Sequence, residues 1–462
     1  MRNVSSLGRL YFIKIFVFSL AFLFLSGFDS PVSGQIINPG DGLTRCAAKF
    51  QKTKTGRVVF MGGNFCVDAP WVQAVFDNIQ KRFPDTKFEF VNASLPSNTT
   101  DFVCFRMERH AFTNQSVNEP FFSPKQWDQK PVDLLIFDSW LDEKYSNPYN
   151  SLGMGRQMPI DSLFRMAKEK NPEIDIVELF LVDQPLNLWK YTYTDGNFLL
   201  KPHRLAGLDY GAAQVDYPGG FTGKGRTPFS SKLKIEDFND IYAHPEIFQS
   251  YSDGMTLLFD QTWGTAIPAA AIAPQAPKEL PPEVNRFGYK NRNWVSVADL
   301  PVPDGWKRID SWEVPEGKTA HPSLKGATVW ETTELNKELA IPFKGMAIGV
   351  IGISGPDSGI MEFQIDKEKD IQSSWMTIDQ GIIDIGRKTD YTPWAFMLTK
   401  ENSNRPHNTV VRLATPPAQE TDKAAEKATD KTETGQNEQN SPAQEKKVLR
   451  IIGFFINGEF TK

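Results

Sequence analysis

From Arg57 onward, short runs of apolar residues alternate with longer stretches whose apolar positions recur every three or four residues. Val58-Val59-Phe60-Met61 reads as a first strand, and Val72, Val75, Phe76, Ile79 and Phe83 then fall on one face of a helix that Pro70 can start. Phe88 to Val91, Val132 to Phe137 and Ile174 to Val182 supply further strands, with a helix expected over Ile160 to Lys170. Strands that are apolar throughout suit a parallel sheet covered on both faces by helices.

The pattern changes after Trp263. Residues 266–283 are rich in Ala and Pro and poor in large apolar side chains, as expected of a linker. Beyond it come short strand-like runs: Ala327 to Glu331, Met346 to Ile353, Ile360 to Ile365, Ile382 to Ile385, Ala395 to Leu398, Val410 to Leu413 and Leu449 to Ile456. Turn residues such as Gly355-Pro356-Asp357-Ser358-Gly359 separate them, which suggests a β-sandwich or jelly roll. Residues 416–447 contain no Val, Ile, Leu or aromatic side chain and read as a disordered insertion before the last strand.

The N-terminus has a different pattern. Arg2, Arg9 and Lys14 precede an apolar run from Ile15 to Leu25, and Val32-Ser33-Gly34 offers small residues for cleavage. A signal peptide over 1–34 is expected, and the apolar run is shorter than the ~20 residues that cross a bilayer. The protein is therefore expected to be exported, to the periplasm, cell envelope or extracellular space, and not to span the membrane after cleavage. The expected organisation is 1–34 signal peptide, 35–265 α/β domain, 266–283 linker and 284–462 β-sandwich-like domain.

Composition narrows the chemistry. With 51 basic against 56 acidic residues in 462, interspersed along the chain, no basic stripe points to nucleic acid. The 5 His are scattered, and no His, Cys, Asp or Glu set has metal-ligand spacing, so neither a metal nor a cofactor is expected. There is no P-loop and no dinucleotide fingerprint. Of the 3 Cys, Cys66 and Cys104 each follow a strand and could pair, leaving Cys46; three unpaired thiols are the other expectation. Trp306, Trp312, Trp330, Trp375 and Trp394 offer faces for sugar stacking, or else core packing.

Three segments carry a resemblance. Val59-Phe60-Met61-Gly62-Gly63-Asn64-Phe65 is similar to the strand and Gly-Gly-Ser or Gly-Asp-Ser turn of the SGNH (GDSL-like) hydrolases. Phe90 to Ser97, followed by Phe105-Arg106-Met107-Glu108-Arg109, resembles that family's Asn-Ala-Gly block and its helix. Val132 to Phe137, leading to Trp140-Leu141-Asp142-Glu143, resembles the strand before its Asn-Asp pair. The resemblance implies a three-layer parallel-sheet α/β domain, and the two-domain order implies an exported relative of the carbohydrate esterases.

In that family a Ser attacks an ester carbonyl, a His takes its proton, and a Gly amide with an Asn side chain stabilises the oxyanion. Here Asn64 stands in the place of the nucleophile, and a neutral amide does not attack an ester. Ser94 replaces the Gly, leaving its N–H for an oxyanion hole. Asp142 replaces the donor Asn and, when ionised, only accepts hydrogen bonds. His244, with Asp240 four residues before it, resembles the His block; a surface-loop His is the plain alternative. His321-Pro322 looks alike but lies in the second domain. The cleft is expected at Gly63, Asn64, Ser94 and Asp142.

Two functions remain open. One is a catalytically impaired SGNH homologue that binds a carbohydrate or acylated polysaccharide. The other is an active ester hydrolase with a non-standard nucleophile such as Cys66, or with water activated by His244. Ser97 and Ser139 are the nearest spare hydroxyls, and a purely structural envelope role is a third reading.

Overall fold

The computed structural model describes residues 37–96, 98–123, 125–139, 157–181, 196–217, 245–284, 288–366, 376–379, 390–399, 404–414 and 447–461. The expected signal peptide lies outside these residues, as does the 416–447 insertion apart from Lys447. Among the described residues no helix is long and apolar enough to cross a membrane.

The first half builds a 6-stranded sheet. Its elements run β1 (Ile37–Asn38), α1 (Thr44–Thr53), β2 (Thr55–Met61), α2 (Pro70–Arg82), β3 (Lys87–Asn92), α3 (Thr100–His110), β4 (Leu134–Phe137), α4 (Gln157–Lys170), β5 (Asp175–Phe180), α5 (Gly196–Tyr210), β6 (Ala213–Asp216) and α6 (Pro245–Trp263). Strand order is β1-β6-β5-β4-β2-β3, parallel except for the short edge strand β1. The chain steps outward from β2 to β3, then returns to build β4, β5 and β6 on the other side. The order therefore reverses between β2 and β4, the kind of point where doubly wound sheets open a crevice at their strand carboxyl ends.

Local chemistry explains the helices. Pro70 opens α2, and Val72, Val75, Phe76 and Ile79 are all buried, so the expected face is the packed one. The Thr99 side chain accepts from the Phe102 N–H at 3.3 Å and caps α3. At the other end of α3, the Arg57 guanidinium bonds the carbonyls of Ala111 and, at 2.7 Å, Thr113. One face of the sheet is covered by α1, α2 and α6, the other by α3, α4 and α5.

The second half forms a curled, ten-stranded sheet from β7 (Arg292–Ser296), β8 (Lys307–Ile309), β9 (Thr319–Ala320), β10 (Val329–Thr332), β11 (Leu339–Ser354), β12 (Ile360–Ile365), β13 (Met376–Asp379), β14 (Asp390–Thr399), β15 (Arg405–Leu413) and β16 (Leu449–Phe460). The 16-residue β11 organises it, pairing with β15 along its first part, with β14 along its second, and with β16 across its middle. Residues of β14 alternate between two cores: Trp394, Phe396 and Leu398 enter the sheet's own core, whereas Tyr391, Ala395 and Met397 face the α/β half. A bulge opposite Ile351/Gly352 shifts that alternation in β16, so Ile451 and Phe454 face the first core while Ile452 and Phe455 face the second.

The two halves share that second core. Phe455 lies 4.8 Å from Phe105 and 5.8 Å from Phe102, ring centre to ring centre, and Tyr289 lies 5.3 Å from Phe105. The Ala/Pro-rich stretch between them is tied down rather than loose. The Gln51 side-chain amide donates to Ala270 O at 2.7 Å and accepts from Ile272 N–H at 2.9 Å, and Ala269 N–H bonds Arg82 O at 2.9 Å.

Two open alternatives are decided. None of the three cysteines forms a disulfide and all are buried; Cys66 packs on the α2 face of the sheet and Cys104 on the opposite face, so the strands themselves stand between them. Trp306, Trp312, Trp330 and Trp394 are at most 7% exposed and serve as core, not as stacking platforms; Trp375 lies outside the described residues.

Candidate functional site at the strand-order reversal

β2 ends at Met61 and the chain turns through Gly62-Gly63-Asn64. A Cβ on Gly62 would lie 2.2 Å from Cys66 Sγ, so only glycine lets the following turn fold back this closely. That turn, a single 3-10 turn over Asn64–Cys66, closes with Cys66 N–H on Gly63 O at 2.9 Å. Asn64 begins it and is partly exposed, and among the described residues no hydrogen bond holds its side chain. Cys66 Sγ is buried against Gly62, facing the core instead of the crevice.

The loop after β3 is locked onto the first. Ser94 Oγ accepts from Gly62 N–H at 2.9 Å, and Leu95 N–H bonds Gly62 O at 3.0 Å. Gly62 and Ser94 are thus brought together. The Ser94 N–H, expected to be available to an oxyanion, donates to Asn92 Oδ1 at 3.1 Å, while Asn92 Nδ2 donates to Cys66 O at 2.9 Å.

Beneath these loops lies a polar plug that the sequence did not flag. Asn98 Nδ2 donates to Met61 O at 3.0 Å and to Asp138 O at 2.8 Å, joining the ends of β2 and β4 across the reversal. Its Oδ1 accepts from Arg106 Nε at 2.9 Å and from Nη2, and Arg106 Nη1 donates to Ala93 O at 2.6 Å. Both side chains are fully buried. Ser139 Oγ pairs with Thr100 Oγ1 at 2.8 Å and is also buried. The signal that could have found the plug is the placement of Asn98 and Arg106 eight residues apart, around the start of a helix that follows a strand.

Of the residues expected in the cleft, Gly63, Asn64 and Ser94 sit together at this point. Asp142, His244 and Asp240 lie outside the described residues, and so does Ser97. Below the loops, Tyr217 donates to Tyr251 O at 2.6 Å, and burial pushes its pKa up, so it stays a neutral donor. Among the described residues no group of His, Cys, Asp and Glu is arranged to hold a metal ion.

What the fold resembles follows from this geometry. A doubly wound sheet with a Gly-Gly turn at its order reversal, followed by a curled β sheet, is a fold shared with solved two-domain esterases. A two-domain esterase active on acetylated mannans, co-crystallised with mannopentaose, superposes with a TM-score of 0.53 over 91% of this chain and 96% of its own at 12% identity. A second structure of a two-domain esterase active on acetylated mannans gives 0.51 at 13% identity over the same shares. A GDSL-like lipase from Parabacteroides merdae covers 45% of this chain with a TM-score of 0.30 and 12% identity. No family model and no curated protein matches the sequence.

Proposed function

We propose that this protein is an exported SGNH-type scaffold that has lost ester hydrolysis and binds a carbohydrate or acylated glycan at the strand-order reversal. The observation that carries the reading is that every described hydroxyl or thiol near the Gly-Gly turn is engaged or buried, while Asn64, at the nucleophile's place, presents a partly exposed amide. Ser94 Oγ is held by Gly62 N–H, Ser139 Oγ by Thr100, and Cys66 Sγ lies in the core. A buried thiol in apolar surroundings is a poor nucleophile, and the Ser94 N–H that would meet an oxyanion is taken by Asn92. An amide at Asn64 both donates and accepts, as hydroxyl or acyl recognition needs. The fold shared with an esterase active on acetylated mannans makes acetylated mannan the first ligand to try. Export rests on the N-terminal pattern ending near Gly34, and intact-mass measurement of the secreted chain tests it.

The experiment is hydrolysis of acetylated mannan, acetylated xylan and a short-chain aryl ester by the purified protein and by Asn64→Ser, alongside binding of acetylated oligosaccharides. Binding without turnover, with turnover appearing in Asn64→Ser, is the expected result. Turnover by the wild type that disappears in His244→Ala overturns the reading in favour of a hydrolase that uses His-activated water or a different nucleophile.

A further inference from the structure

A second concavity lies at the opposite end of the α/β half. The first turn of α3 meets the strand carboxyl ends through Thr100. Its last turn, ~12 Å further along at 1.5 Å per residue, carries Met107 and Glu108 into a cleft of about 570 Å³. The last turn of α4 forms a second wall through Met166, Glu169 and Lys170, and the segment leading into β7 forms a third through Glu283, Tyr289 and Arg292. The cleft therefore opens between the two halves, a common location for ligand sites, and its size falls within the roughly 300–1,000 Å³ of such sites.

The lining defines the ligand. Met107, Phe112 and Met166 make an apolar floor. Around it the cations are already compensated: Lys170 Nζ lies 2.5 Å and Arg292 Nη2 3.4 Å from Glu108, and Lys290 Nζ lies 2.7 Å from Glu283. Lys170 and Arg292 hold the Glu108 carboxyl below its ordinary range, so these pairs are ionised near neutral pH. Charges of both signs alternate around the rim, so neither an anion nor a cation meets a surface of one opposite sign. Arg165 adds an unused donor: its Nη2 bonds Pro281 O at 2.6 Å, but its Nε is buried with no hydrogen-bond acceptor among the described residues, the Asp161 carboxylate standing 3.9 Å away. An apolar floor, a rim of alternating donors and acceptors and an orphaned donor suit a neutral molecule with one C–H-rich face and many hydroxyl or ether oxygens.

We propose that this interhalf cleft is a binding site for a neutral saccharide of one or two rings, separate from the strand-order reversal. This site is defined by its own lining, whatever Asn64 binds.

Isothermal titration and saturation-transfer NMR with mannobiose, cellobiose and xylobiose test it on the full chain, with inorganic phosphate and citrate as charged probes. The double variant Glu169→Ala/Lys170→Ala alters exposed rim positions only, and circular dichroism checks its fold. Binding of a disaccharide that weakens at least tenfold in the double variant and persists in Asn64→Leu is the expected result. Disaccharide binding lost in Asn64→Leu but unchanged in the double variant overturns the cleft proposal while leaving the first site standing. Absence of disaccharide binding, or tighter binding of phosphate or citrate, overturns the cleft proposal outright; the Asn64 reading is judged separately, on acetylated ligands.

Discussion

The two ends of the parallel sheet solve opposite problems with opposite residues. At the carboxyl ends of β2, β3 and β4 the backbone presents carbonyls, and two buried side chains donate to them: Asn98 to Met61 O and Asp138 O, Arg106 to Ala93 O. At the amino ends the backbone presents N–H groups, and the buried side chains are carboxylates. Asp133 accepts from Arg57 N–H of β2 at 2.8 Å, and Asp175, which opens β5, accepts from Cys46 N–H in the first turn of α1 at 2.9 Å. The carboxylates then need cations, supplied by Lys49 to Asp133 and by Arg45 to Asp175 at 2.7 Å. Burial nonetheless pushes the Asp175 pKa up against the pull of Arg45, and lowers that of nearby Lys168 to about 8. The contrast also bears on chemistry, because Asn98 and Arg106 spend their donors on carbonyls of the protein and leave few for a substrate.

The largest effect that would break this comparison is expected for Arg106→Leu. It strips partners from Ala93 O and Asn98 Oδ1 in a fully buried site and is expected to cost about 3–5 kcal/mol in urea unfolding, with poor soluble yield. A loss below about 1 kcal/mol would mean that the plug is dispensable. Next is Asp175→Asn at the amino end, expected to cost about 2–3 kcal/mol by the same measurement; Asp41, 3.2 Å from Arg45, still compensates the guanidinium and softens the loss. If Asp175→Asn proved the costlier of the two, the carboxyl end would not be the more rigid one.

Gly62→Ala sharpens the picture of the turn. The added methyl meets Cys66 Sγ and Cβ, and a cost of about 1–2 kcal/mol is expected, with the near-ultraviolet spectrum otherwise unchanged.

The smallest effect concerns His110, at the end of α3, where the two halves meet. It is 2% exposed, touches the ring of Phe121, and both its nitrogens lack hydrogen-bond partners among the described residues. Burial, then Arg106, Arg109 and His321, hold its pKa well below the ordinary histidine value. The native state therefore excludes a proton that the unfolded chain binds near pH 6.5, so the contribution is present above that pH and is lost as pH falls toward the folded value. Between pH 6.5 and 5.5 the wild type should lose up to ~1 kcal/mol more stability than His110→Leu; parallel pH profiles would show that His110 does not titrate this way.

How much of this was readable beforehand varies by element. β2, α2 and β3 followed from apolar spacing because their burial is apolar. α1 and β6 did not. α1 buries Arg45 beside Asp175, and β6 is the short run Ala-Gln-Val-Asp, whose Gln214 is buried because Glu178 accepts from it at 2.9 Å. Polar burial depends on partners far along the chain, which periodicity does not encode. The same holds at the candidate site. Gly62, Asn64 and Ser94 stood out by their likeness to a known turn, whereas Asn98 and Arg106 became visible only once the carbonyls they satisfy were in place. The pairing expected of Cys66 and Cys104 failed because both lie near strand ends in sequence while the sheet separates them in space.

The position of β16 governs how the molecule can be assembled in time. This final strand is hydrogen-bonded to β11, β10 and β7 inside the curled sheet, and its Phe455 packs on α3 of the other half. Both cores that β16 enters stay open until it docks, so a chain without this strand carries Phe102 and Phe105 uncovered. The α/β half produced alone should therefore aggregate instead of behaving as a portable module.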